Sequence, residues 1–231
     1  MQKEKTFVIG DIHGAYKALM QCLVRSNFNY QLDTLICLGD VCDGWSEVKN
    51  CFEELLKIKN LIYLLGNHDD WTLKWAKTGV RNYSWIYQGG QATIESYPNG
   101  MPQKHIDILN TARLFYIDNN KLFVHAGILL DTDIKNQNKE IFIWDRTLVE
   151  MAIKYKNSET ACKLSPFEEI FLGHTPTIIY GTLKPINACE IWMMDTGAGW
   201  NGVLTIMNIE NKEFFYSDNV IDLYPNERGR F

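Results

Sequence analysis

From Thr6 to Ile9 the chain runs apolar, TFVI, and then breaks at Gly10 into a carboxylate, Asp11, and an imidazole, His13. The stretch after it, AYKALMQCLVRS, returns apolar side chains at Leu19, Cys22 and Leu23, which predicts one buried face of a helix. A second apolar run, TLICLGD, follows. SEVKNCFEELLKI then places Val48, Phe52, Leu55 and Leu56 at helical period before a third run, NLIYLLGN. Strands alternating with helices predict parallel pairing, and runs apolar on both faces belong in a parallel sheet covered by helices on both sides.

DWTLKWAKTG continues as a helix, whereas Asn82 to Pro102, rich in Tyr, Gly and Gln, is the least regular part of the chain and the candidate cap or insertion over a site. From Arg113 the signals favour strands: RLFYID, then NNKLFVHAG after a turn at Asn119 and Asn120. A helical stretch around WDRTLVEMAIKYK precedes EEIFLGHTP, IWMMDTGAG and a last hairpin, VLTIMNIENKEFFYSD, turning near Asn211. A second sheet packed on the first is the simplest home for these later strands. No repeat, low-complexity tract or linker divides residues 1–231, so a single domain is expected.

Composition narrows the function classes. With 46% hydrophobic and 22% charged residues in 231, the chain has the make-up of a globular protein with a sizeable core. No stretch approaches the roughly 18 apolar residues of a membrane span, and MQKEK is not followed by a signal-type apolar region, so a cytoplasmic protein is expected. The six cysteines form no C-x-x-C pair and are expected to be mostly reduced core thiols. A net charge of −5 without a dense Lys/Arg stripe argues against duplex nucleic acid as a partner.

The chemistry gathers where strands end. A charged carboxylate at the end of a buried strand costs free energy unless a partner compensates it, and either a turn or a cation fits Asp11 taken alone. Four of the five histidines share its setting, an apolar run ending beside a glycine: His13 in GDIHG, His68 in GNHD, His125 in VHAG and His174 in LGHTP. With Asp11, Asp40 and Asn67 they offer carboxylate, imidazole and amide oxygen but no thiolate. That set suits two divalent ions such as Mn²⁺, with Fe²⁺ or Zn²⁺ as alternatives. Two such ions need a bridging carboxylate, and Asp40, on the strand between the other two, is the natural bridge. His105, in PQKHIDILN, lacks that setting and is read as structural.

GDIHG, GDVCDG, GNHD, VHAG and GHTP, in this order and spacing, resemble the calcineurin-type metallophosphoesterases, especially the bacterial and phage branch of the phosphoprotein phosphatases. The motifs run from Gly10 to Thr175, and DTGAGWNGVLTIMN resembles that branch's closing strands. The resemblance implies an α/β fold in four layers, a two-sheet β-sandwich flanked by helices. It implies that Asp11, His13 and Asp40 hold one metal, that Asp40, Asn67, His125 and His174 hold a second, and that a metal-bridging hydroxide attacks a phosphomonoester. It also makes His68 the proton donor to the leaving oxygen and Asp43 the residue that orients it, the bland alternative for Asp43 being a turn residue before Gly44.

Two features depart from that pattern. Phosphoprotein phosphatases usually carry arginine after the orienting aspartate and just before the GNH motif; here those positions are Gly44 and Leu65. Arg146, in IWDRTL, resembles the third arginine of that branch and is kept as the phosphate contact. LLGNHD and FVHAGI also resemble the symmetrical diadenosine tetraphosphate hydrolases, which lack the second arginine, so a dinucleotide substrate stands beside a phosphoprotein or small phosphoester. Trp45, Trp71, Trp75, Tyr83, Trp85 and Tyr87 are candidates to stack a base. A protein that captures a phosphorylated partner without turnover would have no need of His68 as an acid.

Overall fold

The computed structural model describes residues 4–158 and 162–230. The first half alternates as its pattern predicts: β1 (Thr6–Ile9), α1 (Tyr16–Arg25), β2 (Thr34–Cys37), α2 (Val48–Leu55), β3 (Asn60–Tyr63) and α3 (Asn67–Thr78). Short helices α4 (Tyr83–Trp85), α5 (Gln91–Ser96) and α6 (Gln103–Asn110) follow. Next come β4 (Phe115–Asp118), β5 (Lys121–Val124), α7 (Lys139–Trp144), α8 (Thr147–Asn157) and β6 (Glu169–Leu172). β7 (Ile186–Ala188), β8 (Ile191–Met193), β9 (Thr205–Asn208), β10 (Phe214–Tyr216) and α9 (Val220–Leu223) complete the order.

Two five-stranded mixed sheets result, with strand orders β10-β9-β1-β2-β3 and β4-β5-β6-β8-β7. The predicted parallel core is present, with Val8 opposite Ile36 and Ile36 opposite Ile62. The placement of the last hairpin differs from the expectation. β9 pairs antiparallel with β1 and completes the first sheet, and does not join the second. An apolar pattern fixes which face of a strand is buried but not which sheet it joins, and here Met207 takes its place opposite Val8.

Side-chain alternation sorts the core into layers. Phe7 and Ile9 face α1 and α2, whereas Val8 faces the second sheet, where it joins Ile36, Leu38 and Leu64 against Phe123 and Phe171. Leu122, Val124, Ile170 and Leu172 point the other way, onto α7 and α8. The order is helices, sheet, sheet, helices, so the first sheet has helices on one face only and not on both as its pattern predicts, because an apolar strand face does not specify whether a helix or a sheet covers it. Each fully buried Val, Ile or Phe contributes about 1.5–3 kcal/mol of transfer free energy, so the face-to-face cluster is the main bond between the sheets.

The turn at Asn119 and Asn120 has φ of 46° and 58°, the left-handed pair that a two-residue hairpin requires. Four cysteines, Cys22, Cys37, Cys42 and Cys51, are free and buried, as read. The other two, Cys162 and Cys189, are joined in a disulfide that ties the segment after α8 to the turn between β7 and β8. Among the described residues no helix is long and apolar enough to cross a membrane.

Candidate metal centre

The carboxyl ends of β1, β2 and β3 lie beside those of β5 and β6, so the turns after these five strands meet at one edge of the sandwich. Two donor groups form there, Asp11 with His13 and Asp40, and Asp40 with His125 and His174, all buried. Asp40 belongs to both. Its Oδ1 accepts from the His68 backbone N–H at 2.9 Å, and its Oδ2 lies 3.8 Å from His13 Nε2 and 3.4 Å from His125 Nε2. Asn67 Oδ1 is 3.1 Å from His125 Nε2 and 2.9 Å from His174 Nδ1.

The backbone explains how such groups come so close. His13, Asp40, Asp43 and His174 all have positive φ, between 49° and 70°, which turns each strand end sharply enough to face its neighbours. The recurrent glycines have a separate cause. A Cβ on Gly66 would run into Asp40 Oδ1, and one on Gly173 into Asp11 Oδ1, so these glycines are sockets for the carboxylate of an adjoining strand end. Asp69 holds the β2 turn by accepting the backbone N–H groups of Asp40 at 2.8 Å and Val41 at 3.1 Å and the Tyr63 hydroxyl at 3.0 Å.

The imidazoles are oriented from behind. The Nδ1 of His13 is 2.9 Å from the Cys42 carbonyl and that of His125 is 2.8 Å from the Leu38 carbonyl, so each ring donates to backbone through Nδ1 and turns its Nε2 into the site. Burial, Asp195 and Asp40 push Asp11 well above the usual carboxylate range. Burial acts on Asp40 in the same direction, but His125 and His68 outweigh it and hold Asp40 well below that range. Burial opposes charge on His125, yet the Asp40 carboxylate raises it to about 9. Clustered buried carboxylates that draw positive charge onto a buried histidine are a site short of cations, and the oxygen and imidazole donors fit divalent ions. His174 Nε2 and Asp195 Oδ2 are buried without a hydrogen-bond partner.

His68 stands outside both donor groups. Its Nδ1 is 2.6 Å from Asp43 Oδ2, and its Nε2 is buried and unpartnered. Asp43 is held in turn by Trp85 Nε1 at 2.8 Å and Thr93 Oγ1 at 2.6 Å. The irregular segment 82–102 therefore backs Asp43 through two buried side chains.

A model of the calcineurin-like phosphoesterase family matches residues 5–197. The chain belongs to that family. This phosphoesterase is 24% identical over 212 residues to serine/threonine-protein phosphatase 1 of Salmonella typhimurium, covering 88% of the chain and 91% of that relative. It is equally, 24%, identical over 263 residues to the symmetrical bis(5'-nucleosyl)-tetraphosphatase of Neisseria gonorrhoeae, covering 90% and 93%. A metallophosphoesterase from Sphaerobacter thermophilus shares the fold with a TM-score of 0.60 at 14% identity, over 94% of this chain and 89% of that one. The family makes this chain a metal-dependent hydrolase and accounts for the two-sheet sandwich.

Arg146 is exposed at the start of α8, close enough for its charge to add to burial and to His125 in depressing the basicity of His174. His105 lies apart from the phosphoesterase site, hydrogen-bonded to Tyr97 at 2.9 Å and stacked on Phe52. Of the aromatics proposed to stack a base, Trp45, Trp75 and Trp85 are core, and Tyr83 and Tyr87 are exposed and stacked on each other. Trp71 does reach the site, edge-on to His68, and continues to Trp144 and His174.

Asp195, Thr93 and Arg230 escaped the sequence reading, and Trp85, read as a candidate to stack a base, instead holds Asp43. Asp195 ends β8 as Asp11 ends β1, and that shared pattern is a signal by which it is findable. Trp85, Thr93 and Arg230 carry no comparable signal, since they reach the site across 42, 50 and 217 residues of chain.

Proposed function

We propose that this phosphoesterase hydrolyses phosphomonoesters, of the serine/threonine protein phosphatase kind, with two divalent ions, Mn²⁺ foremost, at the strand-end site. The observation that carries this is Asp40 Oδ2, placed between the two donor groups, with the hydrogen-bonded pair His68 and Asp43 beside them but outside both. Asp11, His13 and Asp40 would hold one ion, and Asp40, Asn67, His125 and His174 the other. Bound there, the ions would supply a Lewis acid for the phosphoryl oxygens and an activated water.

The chain's own residues do the rest. Asp43, fixed by Trp85 and Thr93, orients the His68 ring through Nδ1. The proton carried on His68 Nε2, the buried atom without a partner, then goes to the departing alkoxide. Arg146 provides a guanidinium for the phosphoryl oxygens from the side of His174. A dinucleotide polyphosphate is the second reading, supported by the Trp71 and Trp144 wall, 4.9 Å between ring centres, which offers stacking faces for a base.

Chelation is expected to abolish hydrolysis of nitrophenyl phosphate, and Mn²⁺ to restore it better than Mg²⁺, because imidazole ligands favour the later transition metals. Turnover that survives chelation would exclude the metal site as the catalyst. The same Mn²⁺-loaded protein, offered phosphopeptides, nucleotides and diadenosine tetraphosphate, separates the two substrate readings.

A further inference from the structure

The positions of Gly44 and Leu65 lack the arginines common in the phosphoprotein phosphatase branch, yet a guanidinium stands at the His13 side of the site. It belongs to Arg230. One terminal nitrogen lies 3.1 Å from His13 Nε2, the other donates to Gln88 Oε1 at 3.3 Å, and the guanidinium carbon sits 4.3 Å above the Trp200 ring. A Cβ on Gly44 would be 3.2 Å from Arg230 Cγ, one on Gly89 3.3 Å from the same atom, and one on Gly199 2.9 Å from Arg230 Cδ. Three glycines thus leave the channel through which the side chain passes, and one of them occupies the position where an arginine is missing.

The segment that carries Arg230 is anchored before it arrives. Tyr224 stacks on Trp45 at 5.1 Å and donates to Glu47 at 2.5 Å. Glu227 accepts from the backbone and hydroxyl of Ser46 at 3.0 and 2.8 Å, and the Arg230 N–H donates to the Gly199 carbonyl at 2.9 Å. The direct contacts of the guanidinium among the described residues are neutral. Among the described residues no carboxylate lies within ion-pair distance of it, and its Nε is buried without a hydrogen-bond partner. A half-buried cation whose direct contacts are neutral, with the buried Asp195 carboxylate near enough to feel its charge but beyond ion-pair distance, is incompletely compensated, and a doubly charged oxyanion at the site would complete it.

We propose that Arg230 is the phosphate clamp of this enzyme on the His13 side, taking over from the opposite end of the chain the place left by Gly44. The proposal rests on the phosphate-directed reading of the site. With His13 serving as a metal ligand, the Arg230 N–H groups would be free of that contact and available to the oxygens of a phosphoryl group. Arg146 serves the His174 side, so the two cations flank the donor groups.

Binding of inorganic phosphate to the Mn²⁺-loaded protein tests this without requiring turnover, with Mn²⁺ uptake by the chelator-treated protein measured in parallel. Arg230→Ala should weaken phosphate binding by about tenfold or more, as expected for loss of a charge-assisted pair, with Arg230→Lys intermediate. Mn²⁺ uptake should be unchanged or tighter, because a competitor for His13 Nε2 is gone. Phosphate affinity within about twofold of wild type in Arg230→Ala overturns the clamp. So does a parallel loss of Mn²⁺ and phosphate in both variants, which makes Arg230 a support of the fold. If wild type hydrolyses nitrophenyl phosphate and Arg230→Ala matches it in both phosphate affinity and KM, the clamp alone fails. If wild type binds phosphate through Arg230 but hydrolyses no ester, the hydrolytic reading fails and the clamp stands.

Discussion

The two halves of the candidate metal centre share Asp40 and differ in nearly everything around it. On one side His13 Nε2 already meets a cationic group of the chain, Arg230, and lies edge-on to Trp200. On the other, His125 and His174 converge on Asn67, His174 keeps a buried unpartnered nitrogen, and the nearby Arg146 stays exposed. The first half is covered by a distant segment of the chain, whereas the second takes its two histidines from strand ends of the second sheet and has Trp144 against His174. Metal-ligand geometry is thus set locally at each strand end, whereas access and charge are set by whatever packs over it.

The comparison breaks most completely at the shared residue. Asp40→Asn should drop the metal content of the purified protein to half or below and abolish hydrolysis, since both halves lose a charged oxygen; full occupancy of two metals would show that Asp40 does not bridge. His68→Asn should leave metal content intact and slow hydrolysis of alkyl phosphates by about 10² to 10⁴, with a smaller loss on nitrophenyl phosphate, whose leaving group needs no proton. Equal losses on both esters together with a lost metal would make His68 a ligand. Arg146→Ala should raise KM by about tenfold for both esters alike, because a phosphate contact is indifferent to which alcohol leaves. A loss confined to one ester would move Arg146 to the leaving-group side.

The smallest effect is expected at Trp85→Phe, which keeps the ring and removes one donor to Asp43. A few-fold loss on alkyl phosphates, with nitrophenyl phosphate and metal content unchanged, would mark Trp85 as a positioning residue for the acid, a modest effect because Asp43 keeps its bond from Thr93. Equal losses on the two esters would assign it to packing alone.

The parts legible in the sequence were those in which one short stretch contains both cause and effect. Apolar runs that stop at glycine followed by Asp, His or Asn fixed the strand ends, and parallel pairing brought them together without further information. The hairpin at Asn119 and Asn120 is local in the same sense. Partnerships made across the fold were not legible. The pairing of Met207 with Val8, the disulfide from Cys162 to Cys189 and the contact of Arg230 with His13 each join distant stretches whose local patterns name no partner. Segment 82–102 looked irregular because its helices are short, and its Trp85 and Thr93 are buried for a hydrogen-bonding task that periodicity does not encode.

The donor atoms come from both sheets, Asp11, His13, Asp40 and Asn67 after strands of the first, His125 and His174 after strands of the second. Ions held there are a rivet between two layers that otherwise adhere through their apolar faces. A ligand that binds only the folded form adds about 2.7 kcal/mol when present at 100 times its dissociation constant, a sizeable share of the stability of a typical domain. Scarcity of the metal would then do more than silence the enzyme: it would also shorten the lifetime of the molecule, so that the amount of this protein follows the supply of its ion.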